Sequence, residues 1–222
     1  MTEHKISRVV PAILTDDPKT LETLGRQSET FTDYVQIDIM DGRFVPSSSI
    51  TVKHLSALAI KLNWEAHLMV MSPEVCLEDF KEAGAQKIVF HYEATDSPRK
   101  VVSLVRNLGL KVGIAVNPET PISAVLPLAD EIDSLLFLAV HPGFYGAKFI
   151  PEVLDKLMEF RRVRSDVEIG IDGGIKESNI ARIAQCGADV IFVGSAIFLK
   201  PDPGESFRHL QVLAEQGSRN RV

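Results

Sequence analysis

Eight short β-branched runs, each followed by a longer amphipathic segment, recur along this chain and restrict the folds open to it. The runs are residues 9–14, 34–39, 65–70, 87–91, 111–116, 134–140, 168–171 and 190–193. Helical periodicity covers 18–29, 97–108, 151–162, 179–185 and 204–215. Strand-then-helix units repeated in this way call for parallel strands joined by right-handed crossovers. An open doubly wound sheet satisfies that requirement, and so does a closed (β/α)8 TIM barrel. Segments 83–90 and 186–192 repeat one joint, in which a Gly closes a helix and an apolar strand follows. No linker or composition shift interrupts the pattern, so one domain is expected over 1–222, with a frayed polar tail at 218–222.

The polar residues decide between the two architectures. Gln36 and Asp38 precede Met40, Asp41 and Gly42 at the end of the second run. His67 closes the third, His91 and Glu93 the fourth, and Asn117 follows the fifth. His141, Asp172 and Gly194-Ser195 follow the sixth, seventh and eighth. In a barrel all these C-terminal strand ends meet at one mouth, where active sites lie. An open sheet would spread them along a line, so the barrel is preferred.

Strand alternation then sorts the side chains. Gln36 and Asp38 are two apart and share a face, while Ile37 and Ile39 face the helices. A carboxylate pointing into a barrel is costly unless paired or bound to a cation, so Asp38 reads as functional rather than as surface charge. Asp41 opens an Asp-Gly turn and reads as a turn former or an anchor behind the site. His67 gains weight because Asp38 and Asp172 should reach the same mouth. For His91, a structural hydrogen bond and a substrate contact stay equally open. His141 precedes Pro142 and receives no role.

Glycine-bearing loops follow the last three runs: Gly143-Phe144-Tyr145-Gly146, Asp172-Gly173-Gly174 and Gly194-Ser195. Glycines let backbone N–H groups approach an anion closely, and barrels often hold phosphate after strands seven and eight. Met40, Met69 and Phe144 sit near the same mouth, either as core packing or as an apolar lid.

Composition narrows the partners. The net charge of −6 and the absence of a basic run argue against nucleic acid and anionic membranes. Cys76 and Cys186 lie in no metal or disulfide pattern. No secretory h-region opens the chain and no apolar stretch reaches the ~18 residues of a membrane span, so a cytoplasmic location is expected.

These residues resemble the ribulose-phosphate 3-epimerase family. The likeness runs through Pro11-Ala12-Ile13-Leu14, Ile37-Asp38-Ile39-Met40-Asp41-Gly42-Arg43-Phe44-Val45-Pro46 and Ala66-His67-Leu68-Met69. It continues through Ala115-Val116-Asn117-Pro118, Val140-His141-Pro142-Gly143-Phe144, Ile171-Asp172-Gly173-Gly174 and Val193-Gly194-Ser195-Ala196-Ile197-Phe198. The resemblance implies an isomerase that epimerises C3 of a ketose phosphate, with Asp38 and Asp172 exchanging the proton from opposite faces. It also implies a divalent metal on Asp38, His67 and Asp172, with Gln36 at the fourth ligand position. Met40 and Met69 would shelter the intermediate. Gly143, Phe144, Gly146, Gly173, Gly174, Gly194 and Ser195 would bind the phosphate end of the small phosphorylated sugar.

Several positions depart from the family pattern. Gln36 stands where the family has His, Ala12 where it has Ser, and Leu138 where it has a third Met. Ser47-Ser48-Ser49-Ile50 replaces a stretch with Asn and Gly, and Tyr145 interrupts the paired glycines of the phosphate loop. An amide oxygen is a weaker, harder ligand than imidazole, so the metal among zinc, iron, manganese and magnesium is expected to be weakly held, with preference moved away from zinc. Three readings compete: an epimerase on a pentulose or ketohexose phosphate, an aldol-type lyase on the same barrel, and a sugar-phosphate binder that has lost catalysis. A homo-oligomer is compatible with all three.

Overall fold

The structure, a computed structural model, describes residues 6–57, 60–143 and 147–221. Eight parallel strands close in chain order: β1 (Arg8–Ile13), β2 (Tyr34–Met40), β3 (Asn63–Met69), β4 (Lys87–His91), β5 (Lys111–Val116), β6 (Ser134–Leu138), β7 (Glu168–Asp172) and β8 (Val190–Val193). Closure is made by β8 pairing with β1, Phe192 opposite Val10. The expected (β/α)8 barrel is therefore present. The sequence places β4, β5 and β8 at their observed bounds.

The long helices are α1 (Pro18–Ser28), α4 (Pro98–Asn107), α6 (Val153–Val163), α7 (Glu177–Gln185) and α9 (Pro203–Arg219). Four short ones are absent from the sequence reading: α2 (Val52–Ser56), α3 (Leu77–Glu82), α5 (Ile122–Val125) and α8 (Ser195–Phe198). One or two turns cannot display an apolar stripe that repeats every 3.6 residues. Asp17 starts α1 by accepting from the N–H groups of Lys19 and Thr20, and Pro18 fills the first helical position. None of the helices among the described residues is long and apolar enough to cross a membrane.

Alternation along the strands builds two apolar layers. Val35, Ile37, Ile39, Leu68, Ile88, Phe90, Ile114, Leu135, Ile169 and Ile191 face outward into a shell shared with the helices. Val10, Ala12, Val89, Ala115, Leu136, Leu138, Val190 and Phe192 fill the barrel itself. This inner layer lies between two polar ones. The floor, at the strand starts, holds Lys87, whose Nζ is 3.3 Å from Glu65 and 3.1 Å from Glu168. The Tyr34 hydroxyl donates to Glu65 at 2.9 Å. The top layer is the site described below.

The expectation of a frayed tail at 218–222 is corrected over its described part. Ser218 lies within α9, is buried, and its hydroxyl donates to the Ser7 Oγ at 2.8 Å while accepting from the Ser7 N–H at 2.9 Å. The Arg221 guanidinium donates to Ser7 Oγ and to the Ala184 carbonyl. Polar side chains here satisfy backbone groups entering β1, so polarity signals docking rather than fraying.

Lys87 is the only cation contacting Glu65 among the ion pairs of the described residues. Burial works against its charge, but Glu65 and Glu168 outweigh that and raise its pKa. Removing one partner of a buried ion pair typically costs about 3–5 kcal/mol. Lys87→Met should therefore lower the urea-unfolding free energy by about that amount. A loss below ~1 kcal/mol would mean that the floor pair contributes no more than a surface one.

Candidate active site

Four strands bring the top layer together. In β2 and β3, Asp38 pairs in register with His67, and Met40 with Met69. The shared parity points Gln36, Asp38, His67 and the methionines inward. β7 delivers Asp172 at its last residue, and β4 delivers His91 at its own.

Asp38 Oδ1 lies 2.9 Å from His67 Nδ1, and Asp172 Oδ2 lies 3.8 Å from the same nitrogen. Gln36 Nε2 donates to both carboxyls, at 3.0 Å to Asp38 and 2.7 Å to Asp172. The side chain thus presents its nitrogen, not the oxygen that the sequence reading expects as a ligand. The reason is that a carboxyl oxygen without a proton only accepts, so the NH2 end is the end that the two facing oxygens hold. Gln36 Oε1 is left buried without a hydrogen-bond partner.

The electrostatics follow from this crowding. Burial, then the neighbouring charge of Asp38, pushes Asp172 up to about 7, against the opposing pull of His67 and the Gln36 hydrogen bond. For His67, burial disfavours the imidazolium, but the hydrogen bond to Asp38 and the surrounding carboxylates outweigh it and raise its pKa. Burial depresses His91 to about 4.

Behind His67 stands a second row. His67 Nε2 meets His91 Nε2 at 3.1 Å, and His91 Nδ1 meets Glu93 Oε2 at 3.3 Å. Glu93 Oε1 accepts from the Asn117 N–H at 2.8 Å and from the Thr120 hydroxyl. Of the two openings left for His91, the structure shows the hydrogen-bonded one. Glu93 and Thr120 receive no role from sequence; the available signal is the inward parity of His91 with Lys87 and Val89 on β4.

The mouth is finished by loops. Asp41 is an anchor: its carboxylate accepts from the N–H groups of Arg43, Phe44 and Met71. Ser49 Oγ accepts from the Met40 N–H at 2.9 Å and donates to the Asp38 carbonyl at 3.1 Å. Ser47 donates to the Gly143 carbonyl at 2.7 Å, tying the β2 and β6 loops together. Met40 and Met69 pack with Val45, Leu14 and Phe44 as an apolar patch. A cleft of about 190 Å³ opens beside it, lined by Leu14, Thr15, Met40, Ser47 and Gly143 among others.

Gly173 and Gly174 follow Asp172 with φ of 102° and 66°. A Cβ at Gly173 would lie 2.5 Å from a Val140 methyl, and one at Gly174 2.8 Å from the Phe149 N. Both positions therefore require glycine on conformation and on space. Gly194 caps α8, whose first residue is Ser195. Phe144 and Gly146 lie outside the described residues. His141 is exposed and pairs with Glu119 at 3.0 Å, away from any role in the cluster.

Asp38, His67 and Asp172 each offer one ligand atom, and these atoms lie within 4.8 Å of one another. A buried carboxyl and a partly buried one beside a buried imidazole form a donor set that a divalent cation fits, because it neutralises their repulsion. The fold and this cluster define a class: a (β/α)8 barrel enzyme with paired acidic groups at the C-terminal mouth. Residues 8–198 match the Ribulose-phosphate 3 epimerase family. The chain belongs to that family and is an epimerase of its type, an isomerase.

It is 38% identical over 202 residues to the Ribulose-phosphate 3-epimerase of Escherichia coli (strain K12), covering 87% of this chain and 90% of that protein. Identity to the Schizosaccharomyces pombe (strain 972) Ribulose-phosphate 3-epimerase is 32% over 207 residues, covering 90% of each. Among solved structures, a 3-hexulose-6-phosphate synthase superposes with a TM-score of 0.72 at 16% identity, over 93% of this chain and 99% of that one. KGPDC from Streptococcus mutans gives 0.73 at 10%, over 95% and 98%. At such identities the likeness is one of fold.

A carboxyl with a raised folded-state pKa makes stability fall as pH rises. Between the ordinary value of 3.8 and about 7, folded Asp172 holds a proton that the unfolded chain has lost. His67, raised above 6.5, adds the same sign just beyond. The thermal midpoint of chelator-treated protein should thus drop between pH 5 and 8, and Asp172→Asn should flatten that drop. Parallel melting curves for the two proteins would contradict the assignment.

Proposed function

We propose that the chain interconverts ribulose 5-phosphate and xylulose 5-phosphate by moving the C3 proton between Asp38 and Asp172. The observation that supports this most is the close carboxyl pair, in which burial, then the charge of Asp38, holds Asp172 up to about 7. Such a pair provides one base and one acid together near neutral pH. The ionised carboxyl removes the C3 proton on one face, leaving an enediolate. The protonated one returns a proton on the other face, and the two exchange roles for the reverse direction.

The surrounding residues support this division. His67 and Gln36 hold one oxygen of each carboxyl, which fixes how both face the mouth. Met40, Met69 and Val45 keep water from the enediolate. Gly143, Gly173, Gly174, Gly194 and Ser195 take the phosphate on backbone N–H groups and on the Ser195 hydroxyl. Asp38, His67 and Asp172 would hold a divalent cation, which when bound supplies positive charge for the ketone oxygen and the enediolate.

Asp38→Asn and Asp172→Asn should each lower turnover on the order of 10²–10⁴-fold with the barrel intact. A variant that retains more than about a tenth of wild-type turnover would refute the two-aspartate reading.

Gln36 leaves the cation site short of an imidazole. Purified protein should carry little zinc, and Gln36→His should raise its zinc content after identical purification. A full, tightly held zinc equivalent in the wild type, unchanged by the substitution, would contradict this.

A further inference from the structure

The row behind His67 carries an inference that rests on the cation site just proposed. We propose that Glu93 is a positioning residue which, through His91, keeps a proton on His67 Nε2, so that Nδ1 is the nitrogen that can exchange its own proton for a cation between Asp38 and Asp172.

The hydrogen-bond inventory forces the order. Glu93 Oε1 accepts from the Asn117 N–H and the Thr120 hydroxyl, two donors with no alternative role in that contact. These bonds, with the one to His91, hold the Glu93 carboxyl below the ordinary carboxylate range despite burial. Its other oxygen, Oε2, faces His91 Nδ1 at 3.3 Å, and a carboxylate can only accept. His91 must therefore carry its proton on Nδ1, and its Nε2 offers a lone pair. That lone pair meets His67 Nε2 at 3.1 Å, so His67 must donate from Nε2. Both imidazoles are fully buried, so water cannot rewrite the sequence. His67 Nδ1, 2.9 Å from Asp38 and 3.8 Å from Asp172, donates to Asp38 in the metal-free protein, and it is the nitrogen that a cation held by the two carboxyls would take in place of that proton. Carboxylates that orient a ligand imidazole from its far nitrogen are the usual backing of such sites. Here the carboxylate acts through a second imidazole.

Glu93→Gln tests this because it inverts the chain rather than breaking it. The amide oxygen stays with the Asn117 N–H, which leaves the NH2 group facing His91 Nδ1. His91 then moves its proton to Nε2 and donates to His67, which gives up its own Nε2 proton and keeps the one on Nδ1. Long-range ¹H–¹⁵N spectra of histidine-labelled, metal-free protein report the tautomer directly. The wild type should show His91 protonated on Nδ1, and Glu93→Gln should show it on Nε2. Zinc affinity, measured against a chromophoric chelator, should fall on the order of 10–100-fold in the variant. Wild-type His91 protonated on Nε2 would overturn the inference, as would a folded variant whose zinc affinity lies within twofold of wild type. Failure of the wild type to bind any divalent ion would count against the cation site alone, because the tautomer measurement still decides the role of Glu93.

Discussion

Two carboxyls that cannot both be charged at ease occupy one end of this barrel, and much of the site follows from keeping them there. Asp38 and Asp172 come from strands that are not neighbours, so only closure of the sheet brings them together. Once they meet, each neighbour answers the same problem. Gln36 donates to both, His67 leans its Nδ1 toward both, and burial together with the charge of Asp38 lifts Asp172 to about 7. Like charges at close range in a dry pocket are expensive. The compensation comes from an apolar barrel interior and from a floor whose own charges are matched.

The interior is arranged as polar floor, apolar waist and polar mouth. At the floor Lys87 is set between Glu65 and Glu168, and at the mouth two carboxyls face one imidazole. The contrast separates structure from chemistry. Where opposite charges balance, the cluster holds strands together. Where like charges gather, something must be added to the site, either a proton or a cation. Strained functional sites of this kind draw on stability supplied elsewhere in the fold.

Strand alternation made most of this legible. The period of two put Asp38 inside and Ile37 and Ile39 outside, and the structure places them so. The three strands read to the residue are bounded by turn chemistry, whereas the missed helices are too short to show a period. What was hidden were contacts between strands. Glu65 with Lys87, and His91 with His67, depend on register around the barrel, which no local pattern encodes. The direction of the Gln36 amide was hidden for the same reason, since only the two acceptors across the mouth decide which end they hold. The tail around Ser218 misled because its partner, Ser7, lies at the far end of the chain.

The central claim is that C3 is deprotonated by one carboxyl and reprotonated by the other. It is tested most directly by turnover of ribulose 5-phosphate in deuterated water, with the C3 position of each sugar followed by NMR. Xylulose 5-phosphate should carry solvent deuterium at C3 from the first turnovers, while unreacted substrate gains it more slowly. Product that keeps its original C3 hydrogen would contradict it.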